Sequence, residues 1–319
     1  MARYPIPPEQ ATQFPPQNGP SSFWENPALE TDCLGVDTPV ESSDVKPLVQ
    51  IPVEEKGAPA PGRRVSVTEP EYAGTGVHHS LYLPQNFSAR PRHPLIIEFT
   101  GNCSPAVGST GRVEDAHLGY ALTLGRDFIW VVLPFVSKDH RQNVVNWWGD
   151  EDATVAYAKT CIPRIIGQYQ GDPNKVILCG FSRGAIAASY IGLRDDDISK
   201  LWSAFFTTSH FDGVRPWVAP WGVPLEKYRA TAITRLQRVK GRPWRISEDN
   251  SVDDIAAFLK EAGLWGDNYI LDPVPMKRLF PKIPNAYFID AHTDLWPLFD
   301  HPSGRRAREW VSKIGGVGN

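Results

Sequence analysis

The chain has 319 residues, of which 41% are hydrophobic, and its 33 Lys and Arg against 36 Asp and Glu give a formal net charge of −3. This length and apolar content exclude a disulfide-stapled miniprotein and a disordered chain, and they favour one large domain or two small ones. The near-neutral charge balance argues against a nucleic-acid partner, because phosphate neutralisation requires a concentrated basic surface.

The first 64 residues differ in composition from the rest of the chain. They hold 12 of the 30 prolines, and proline fixes φ and removes a backbone donor, which leaves little room for helices or central strands. We therefore predict an extended, proline-rich arm over residues 1–64 and a folded domain over residues 65–319.

No targeting or membrane-spanning segment is visible in the sequence. The first twenty residues contain no apolar stretch of signal-peptide length, and no later stretch is long and apolar enough for a membrane span. We expect a cytoplasmic protein from the sequence as it stands. A secreted protein whose signal has been removed would look the same.

Short apolar segments that suit strands begin at residue 64. Residues 64–67 and 79–83 alternate between apolar and polar side chains, which predicts strands with one exposed face. Residues 95–99, 128–133 and 176–179 are continuous apolar runs, which are typical of strands covered on both faces. This pattern predicts a parallel α/β sheet.

Helical patterns occupy several connections between the strands. Acidic residues 150–152 favour the start of a helix that Pro163 kinks or restarts. Residues 251–263 and 307–315 each place apolar side chains on one helical face and end at a glycine.

The four cysteines are spread along the chain, at Cys33, Cys103, Cys161 and Cys179. They form no C-x-x-C pair, so neither a zinc site nor a dense disulfide framework is indicated. We expect free thiols in preference to one structural disulfide, because unpaired cysteine is commonly buried as a small apolar side chain.

The motif with the clearest chemical meaning is Gly180-Phe181-Ser182-Arg183-Gly184. It directly follows the apolar run 176–179 and precedes the small-residue segment 185–188. A G-x-S-x-G in this context predicts a sharp strand-to-helix turn that exposes the serine hydroxyl above the sheet edge. An ordinary glycine-rich turn is the alternative.

With this motif in this context, residues 65–315 resemble the α/β-hydrolase family, and within it the serine-esterase and polyester-depolymerase-like branch. The resemblance implies a mostly parallel eight-stranded sheet with helices on both faces. It also implies a Ser-acid-His order along the chain and an oxyanion hole built partly from the loop after the third strand. The corresponding chemistry requires no metal and no organic cofactor.

The oxyanion hole is expected at Thr100-Gly101-Asn102-Cys103, after the strand 95–99. Gly101 permits a tight turn, and the backbone N–H of Asn102 would join that of Arg183 in binding the oxyanion. Thr100 replaces the histidine that the family commonly carries.

The general base is expected after the last strand, which we predict over residues 285–289. His292 follows this segment and is the preferred candidate, because the base has to reach the serine within hydrogen-bonding distance. His301, nine residues further on, is the alternative.

The acid is expected after the penultimate strand, predicted over residues 242–246. Asp249 lies at the turn that follows and would orient the imidazole. Glu248 is the near alternative. Asp212, which follows an earlier predicted strand over residues 202–206, is the second alternative for the acid.

Five tryptophans lie in predicted connections at the carboxyl ends of strands, where open α/β sheets bind ligands. They could line a substrate pocket, or they could form a small lid or loop insertion that packs on itself. They are Trp147, Trp148, Trp217, Trp221 and Trp296.

Together these features predict a serine hydrolase that cleaves small-molecule or polymeric carboxylic esters through an acyl-enzyme. A serine peptidase or an acyltransferase would use the same groups. A hydrolase-like domain that only binds a ligand is a third possibility, although it has no need for all three of Ser182, Asp249 and His292.

Overall fold

A computed structural model describes residues 46–89, 91–104, 109–216, 223–249, 251–274 and 292–318. Within these residues, nine strands form one sheet and two short strands form a separate hairpin. In chain order, the strands are β1 (Glu54–Glu55), β2 (Arg64–Val67), β3 (His79–Tyr82), β4 (His93–Phe99), β5 (Ile129–Leu133), β6 (Phe135–Val136), β7 (Asn143–Val144), β8 (Gly171–Phe181), β9 (Ala204–Thr208), β10 (Trp244–Glu248) and β11 (Tyr269–Pro273).

The large sheet has the strand order β1-β2-β3-β5-β4-β8-β9-β10-β11. β3 runs antiparallel to both of its neighbours, and the other neighbouring pairs are parallel. The prediction of a mostly parallel sheet is confirmed, with nine strands in place of eight. β1 is the outermost strand at one edge and pairs with β2.

Several strand bounds differ from those that the sequence predicts. β9 ends at Thr208 and β10 at Glu248, each two residues later than expected. All four residues of β3 are buried, so the prediction of an exposed face on this strand is wrong, because protein packs on both of its sides. The predicted strand over residues 285–289 lies outside the described residues, and β11 is the last described strand.

The helices connect the strands and end the domain. α2 continues through Pro163, so this proline does not end the helix. None of the helices in the described part of the chain is long and apolar enough to cross a membrane. In chain order, the α-helices are α1 (Leu118–Thr123), α2 (Glu151–Gln168), α3 (Arg183–Tyr190), α4 (Asp196–Ser199), α5 (Leu225–Leu236), α6 (Asp253–Glu261) and α7 (Pro302–Gly315).

Helices cover both faces of the sheet, as predicted. In β4, Leu95 and Ile97 belong to an apolar cluster shared with α2, α3, α5 and α6. Ile96, between them, belongs to a second cluster shared with α1 and α7. This alternation follows from the two-residue period of a strand.

The described end of the predicted arm contacts the folded domain. The Leu48 N–H donates to the Leu298 carbonyl at 2.9 Å, and Val49 and Ile51 pack against the cluster beside α1 and α7. The arm over residues 1–64 remains a prediction for the part that lies outside the described residues.

Candidate active site

Ser182 occupies the sharp turn between β8 and α3. Its backbone has φ 55° and ψ −120°, a conformation that a residue other than glycine rarely adopts and that costs roughly 1–3 kcal/mol. The Ser182 N–H donates to the Thr208 carbonyl at 3.0 Å, which holds the turn against β9. The turn therefore has the geometry that the motif predicts.

The two glycines of the motif lie so close to neighbouring backbone atoms that no side chain fits at either position. A Cβ at Gly180 would collide with the carbonyl oxygen of Gly184. A Cβ at Gly184 would collide with the carbonyl oxygen of Phe99, at the end of β4. A larger residue at either position would therefore push the turn away from the sheet.

The structure brings Ser182, His292 and Asp249 into one hydrogen-bonded chain. The His292 Nε2 atom lies 2.9 Å from Ser182 Oγ, and Nδ1 lies 3.0 Å from Asp249 Oδ2. With the ring proton on Nδ1, this N–H donates a hydrogen bond to the carboxylate, and Nε2 is free to accept the serine proton. The Asp249 side chain is 5% exposed and that of His292 is 11% exposed.

His301, the alternative base, serves a different purpose. Its Nδ1 accepts from the Gly304 N–H at 3.3 Å and so caps the start of α7. Its Nε2 then carries the proton and donates to the Trp296 carbonyl at 2.9 Å. His301 therefore stabilises the segment that follows His292, while His292 contacts the serine.

The two alternative acids also have other partners. Asp212 accepts two hydrogen bonds from Arg235, at 2.9 and 3.0 Å, and a third from Ser189 at 2.8 Å. Glu248 is buried and lies 3.5 Å from Arg215. Burial, together with the neighbouring Asp249, raises the pKa of Glu248 to about 7.

Ser209 and His210, which the sequence analysis did not single out, complete the surroundings of the His292–Asp249 pair. The Ser209 hydroxyl donates to the second carboxylate oxygen of Asp249 at 2.5 Å, from a backbone with φ 68°. The His210 ring lies 5.3 Å from the His292 ring. The pKa of His210 is well below its ordinary value, mainly because the ring is buried and to a smaller extent because His292 is close, so this ring is neutral. Their position directly after β9 is the signal that could have identified them.

The loop after β4 lies against Ser182. A Cβ on Gly101 would sit 3.2 Å from the Ser182 Cβ, so glycine lets this loop approach the serine closely. The Asn102 side chain accepts from the Trp147 N–H at 2.5 Å. Thr100, which stands where the family commonly has histidine, donates to the Gly111 carbonyl at 3.3 Å and ties the loop together.

Arg183 begins α3, so its N–H belongs to the first turn, whose N–H groups have no acceptor within the helix. Its guanidinium lies 4.6 Å from the centre of the Trp147 ring. Burial lowers the pKa of Arg183 to about 9. Trp147 therefore lies beside the serine turn, and its place in a substrate pocket stays a prediction.

The other tryptophans are placed differently. Trp148 and Trp296 are 1% and 0% exposed, so the prediction that they line a pocket is wrong. Trp148 packs against Phe135 and Tyr190, and Trp296 donates from Nε1 to Thr208 at 3.2 Å. Trp217 and Trp221 lie outside the described residues.

The sheet is mostly parallel and has helices on both faces, and a strained serine lies at the turn between a strand and a helix. This combination is typical of α/β-hydrolases. The chain has an α/β-hydrolase fold. No family model and no curated protein matches it.

Several solved structures are similar to the chain. A thermostable esterase shares 15% identity over 78% of this chain, with a TM-score of 0.47. An acetyl ester-xyloside bifunctional hydrolase from Caldicellulosiruptor lactoaceticus shares 15% identity over 82% of this chain and 100% of its own, with a TM-score of 0.49. The AtxE2 isopeptidase shares 15% identity over 80% of this chain, with a TM-score of 0.48. The chain spans 62% of the thermostable esterase and 40% of the isopeptidase.

Proposed function

We propose that the protein is a serine hydrolase that cleaves carboxylic esters. The observation that carries this proposal is the hydrogen-bonded chain from Ser182 Oγ through His292 to Asp249, with distances of 2.9 and 3.0 Å. Its serine projects from a strained turn, and the loop around Gly101 lies beside it.

The proposed reaction has two stages. His292 Nε2 takes the hydroxyl proton of Ser182 as Oγ attacks the ester carbonyl, and the backbone N–H groups of Asn102 and Arg183 bind the oxyanion. His292 then gives this proton to the leaving alcohol, and an ester between Ser182 and the acyl group remains. Water attacks this ester by the same route, releasing the acid and restoring the serine.

Asp249 stabilises the positive charge that forms on His292 in each stage. Because its carboxylate also accepts from Ser209 at 2.5 Å, it is held in one orientation. A neutral His210 beside His292 places no second positive charge against the imidazolium.

A domain that only binds a ligand is less consistent with the site. The φ of 55° at Ser182 costs roughly 1–3 kcal/mol, and binding alone gives no reason to retain it. A peptidase or an acyltransferase would use the same groups and differ in the acceptor or leaving group, so substrates have to distinguish them.

Turnover of acyl esters by the wild type and by Ser182→Ala tests the proposal. We expect hydrolysis of 4-nitrophenyl esters and labelling by a fluorophosphonate in the wild type, and neither in Ser182→Ala. Equal turnover by both proteins would refute the serine mechanism. Labelling without hydrolysis of any ester would indicate peptidase or transferase activity, and failure to label would indicate a binding domain.

The acid is tested by a matched pair of variants. Asp249→Asn should reduce kcat about 10⁴-fold, as expected when a triad aspartate is neutralised. Asp212→Asn should weaken the ion pair with Arg235 and lower the melting temperature, with turnover retained by the folded fraction. The opposite result would assign the acid to Asp212.

The polyester branch of the resemblance is a finer proposal about the substrate. We propose that extended aromatic or aliphatic esters lie across Trp147. The test of this proposal compares the release of monomers from an aliphatic polyester film with the turnover of a soluble short-chain ester. No release from any film, with normal turnover of the soluble ester, would restrict the substrate to small esters.

A further inference from the structure

A second polar cluster, which the proposed reaction does not use, lies inside the domain. It consists of Glu69, His79 and Cys161, which are 4%, 0% and 0% exposed. His79 is on β3 and Cys161 on α2, while Glu69 precedes the short 3-10 turn Pro70–Tyr72. Side chains of three different chemical types, from three parts of the chain, therefore meet in a place without solvent.

The donor atoms of the cluster have the spacing of ligands around one metal ion. His79 Nδ1 lies 3.6 Å from Cys161 Sγ and 3.9 Å from Glu69 Oε1. All three donor atoms lie within 4.8 Å of one another. A tetrahedral zinc ion, with Zn–S of about 2.3 Å and Zn–N of about 2.0–2.1 Å, places its sulfur and nitrogen ligands about 3.6 Å apart.

The surroundings of the cluster favour a cation. The other oxygen of Glu69 is held by Arg164, which also donates to Glu71 at 3.0 Å, and ligating carboxylates are usually hydrogen-bonded in this way. A divalent ion and the thiolate of Cys161 would balance the charges of Glu69, Glu71 and Arg164.

We propose that Glu69, His79 and Cys161 form a structural zinc site. On binding, the Cys161 thiol releases its proton to solvent and the sulfur bonds to the ion as a thiolate. The hydroxyl of Tyr157 lies 2.8 Å from His79 Nδ1, at hydrogen-bonding distance, and the bond from Nδ1 to zinc would replace this hydrogen bond. The ion would join β3 to α2 and to the segment before Pro70. The cysteine pattern did not indicate this site because its ligands are far apart in sequence.

Zinc content tests the proposal without any enzyme assay. The full chain is produced without a metal-affinity tag, supplied with zinc, and dialysed against buffer that holds a weak chelator. We expect about one zinc ion per chain in the wild type. Cys161→Ser and His79→Gln should lose it. Cys179→Ser changes another fully buried, free cysteine and should keep it.

Two further measurements keep the test decisive if a variant fails to fold. Wild-type protein loaded with cobalt should show thiolate-to-cobalt charge-transfer absorption, and a strong chelator should lower the melting temperature of the wild type. Wild-type protein without bound zinc and without the cobalt band would overturn the proposal. Equal zinc content in folded Cys161→Ser would also overturn it.

Discussion

Ser209→Ala removes the hydroxyl that donates to Asp249, and its effect can be estimated from the structure. The bond is 2.5 Å long and both residues are buried. A hydrogen bond to a charged group contributes about 1.5–3 kcal/mol. If this loss is felt fully when His292 becomes charged, kcat/KM falls about 10- to 150-fold, because 1.36 kcal/mol corresponds to a factor of ten. This range is an upper bound, since Asp249 retains its bond to His292.

A split between kcat and KM separates this positioning role from a general loss of packing. Because the lost hydrogen bond acts through Asp249 and His292 on the charge that forms during the reaction, kcat should fall in Ser209→Ala while KM stays close to the wild-type value.

Ser247→Ala is the matched control for this experiment. Ser247 is also fully buried and lies on β10, but its hydroxyl has no hydrogen-bond partner among the described residues. We expect kcat and KM to stay close to those of the wild type. Equal effects of the two substitutions would refute the argument, because Asp249 would then be oriented without Ser209.

Three further predictions concern the turn at Ser182, the buried carboxyl of Glu248 and the Trp147 ring against Arg183. Gly184→Ala should unfold the protein or destabilise it by more than about 4 kcal/mol. Gly167→Ala, in the last turn of α2 with open space around it, should stabilise the protein by about 0.4–1 kcal/mol. Chemical denaturation measures both changes. Folding raises the pKa of Glu248 from 4.5 to about 7, so the native state loses stability as pH rises between these values. Glu248→Gln should therefore raise the melting temperature near about pH 8 and not near about pH 4, and an equal gain at both would contradict the assignment. Trp147→Ala removes the ring over Arg183 and should lower the free energy of unfolding by about 0.5–2 kcal/mol. Trp147→Phe keeps an aromatic ring and should retain most of this stability in the same denaturation assay.

The parts of the site that could be predicted are those with a local cause. The turn at Ser182 depends on glycines two residues away on either side, and this requirement is visible in the sequence. Ser209 was missed because its role depends on a hydrogen bond to a residue 40 positions away. Trp148 and Trp296 were misplaced because a large ring in a connection looks the same in sequence whether it faces a cleft or the core.

The choice of acid depended on where the strands end. The sequence predicts ends two residues too early for β9 and β10, because polar residues such as Thr207, Thr208 and Ser247 do not resemble a buried strand. In the structure these residues are buried and pair in register. With the observed ends, Asp249 is the first residue after its strand, whereas Asp212 is four residues beyond the end of β9.

Strand register explains why these side chains meet. The last row of paired residues across three neighbouring strands is Phe181, Thr208 and Ser247. Ser182 and Ser209 directly follow this row, and Asp249 comes one residue later than they do. Because neighbouring strands lie about 4.8 Å apart, Ser182 and Asp249 are two strand spacings from each other and cannot bond directly. The imidazole of His292 spans this gap, and Ser209, which directly follows the strand between them, is the residue placed to hold the carboxylate.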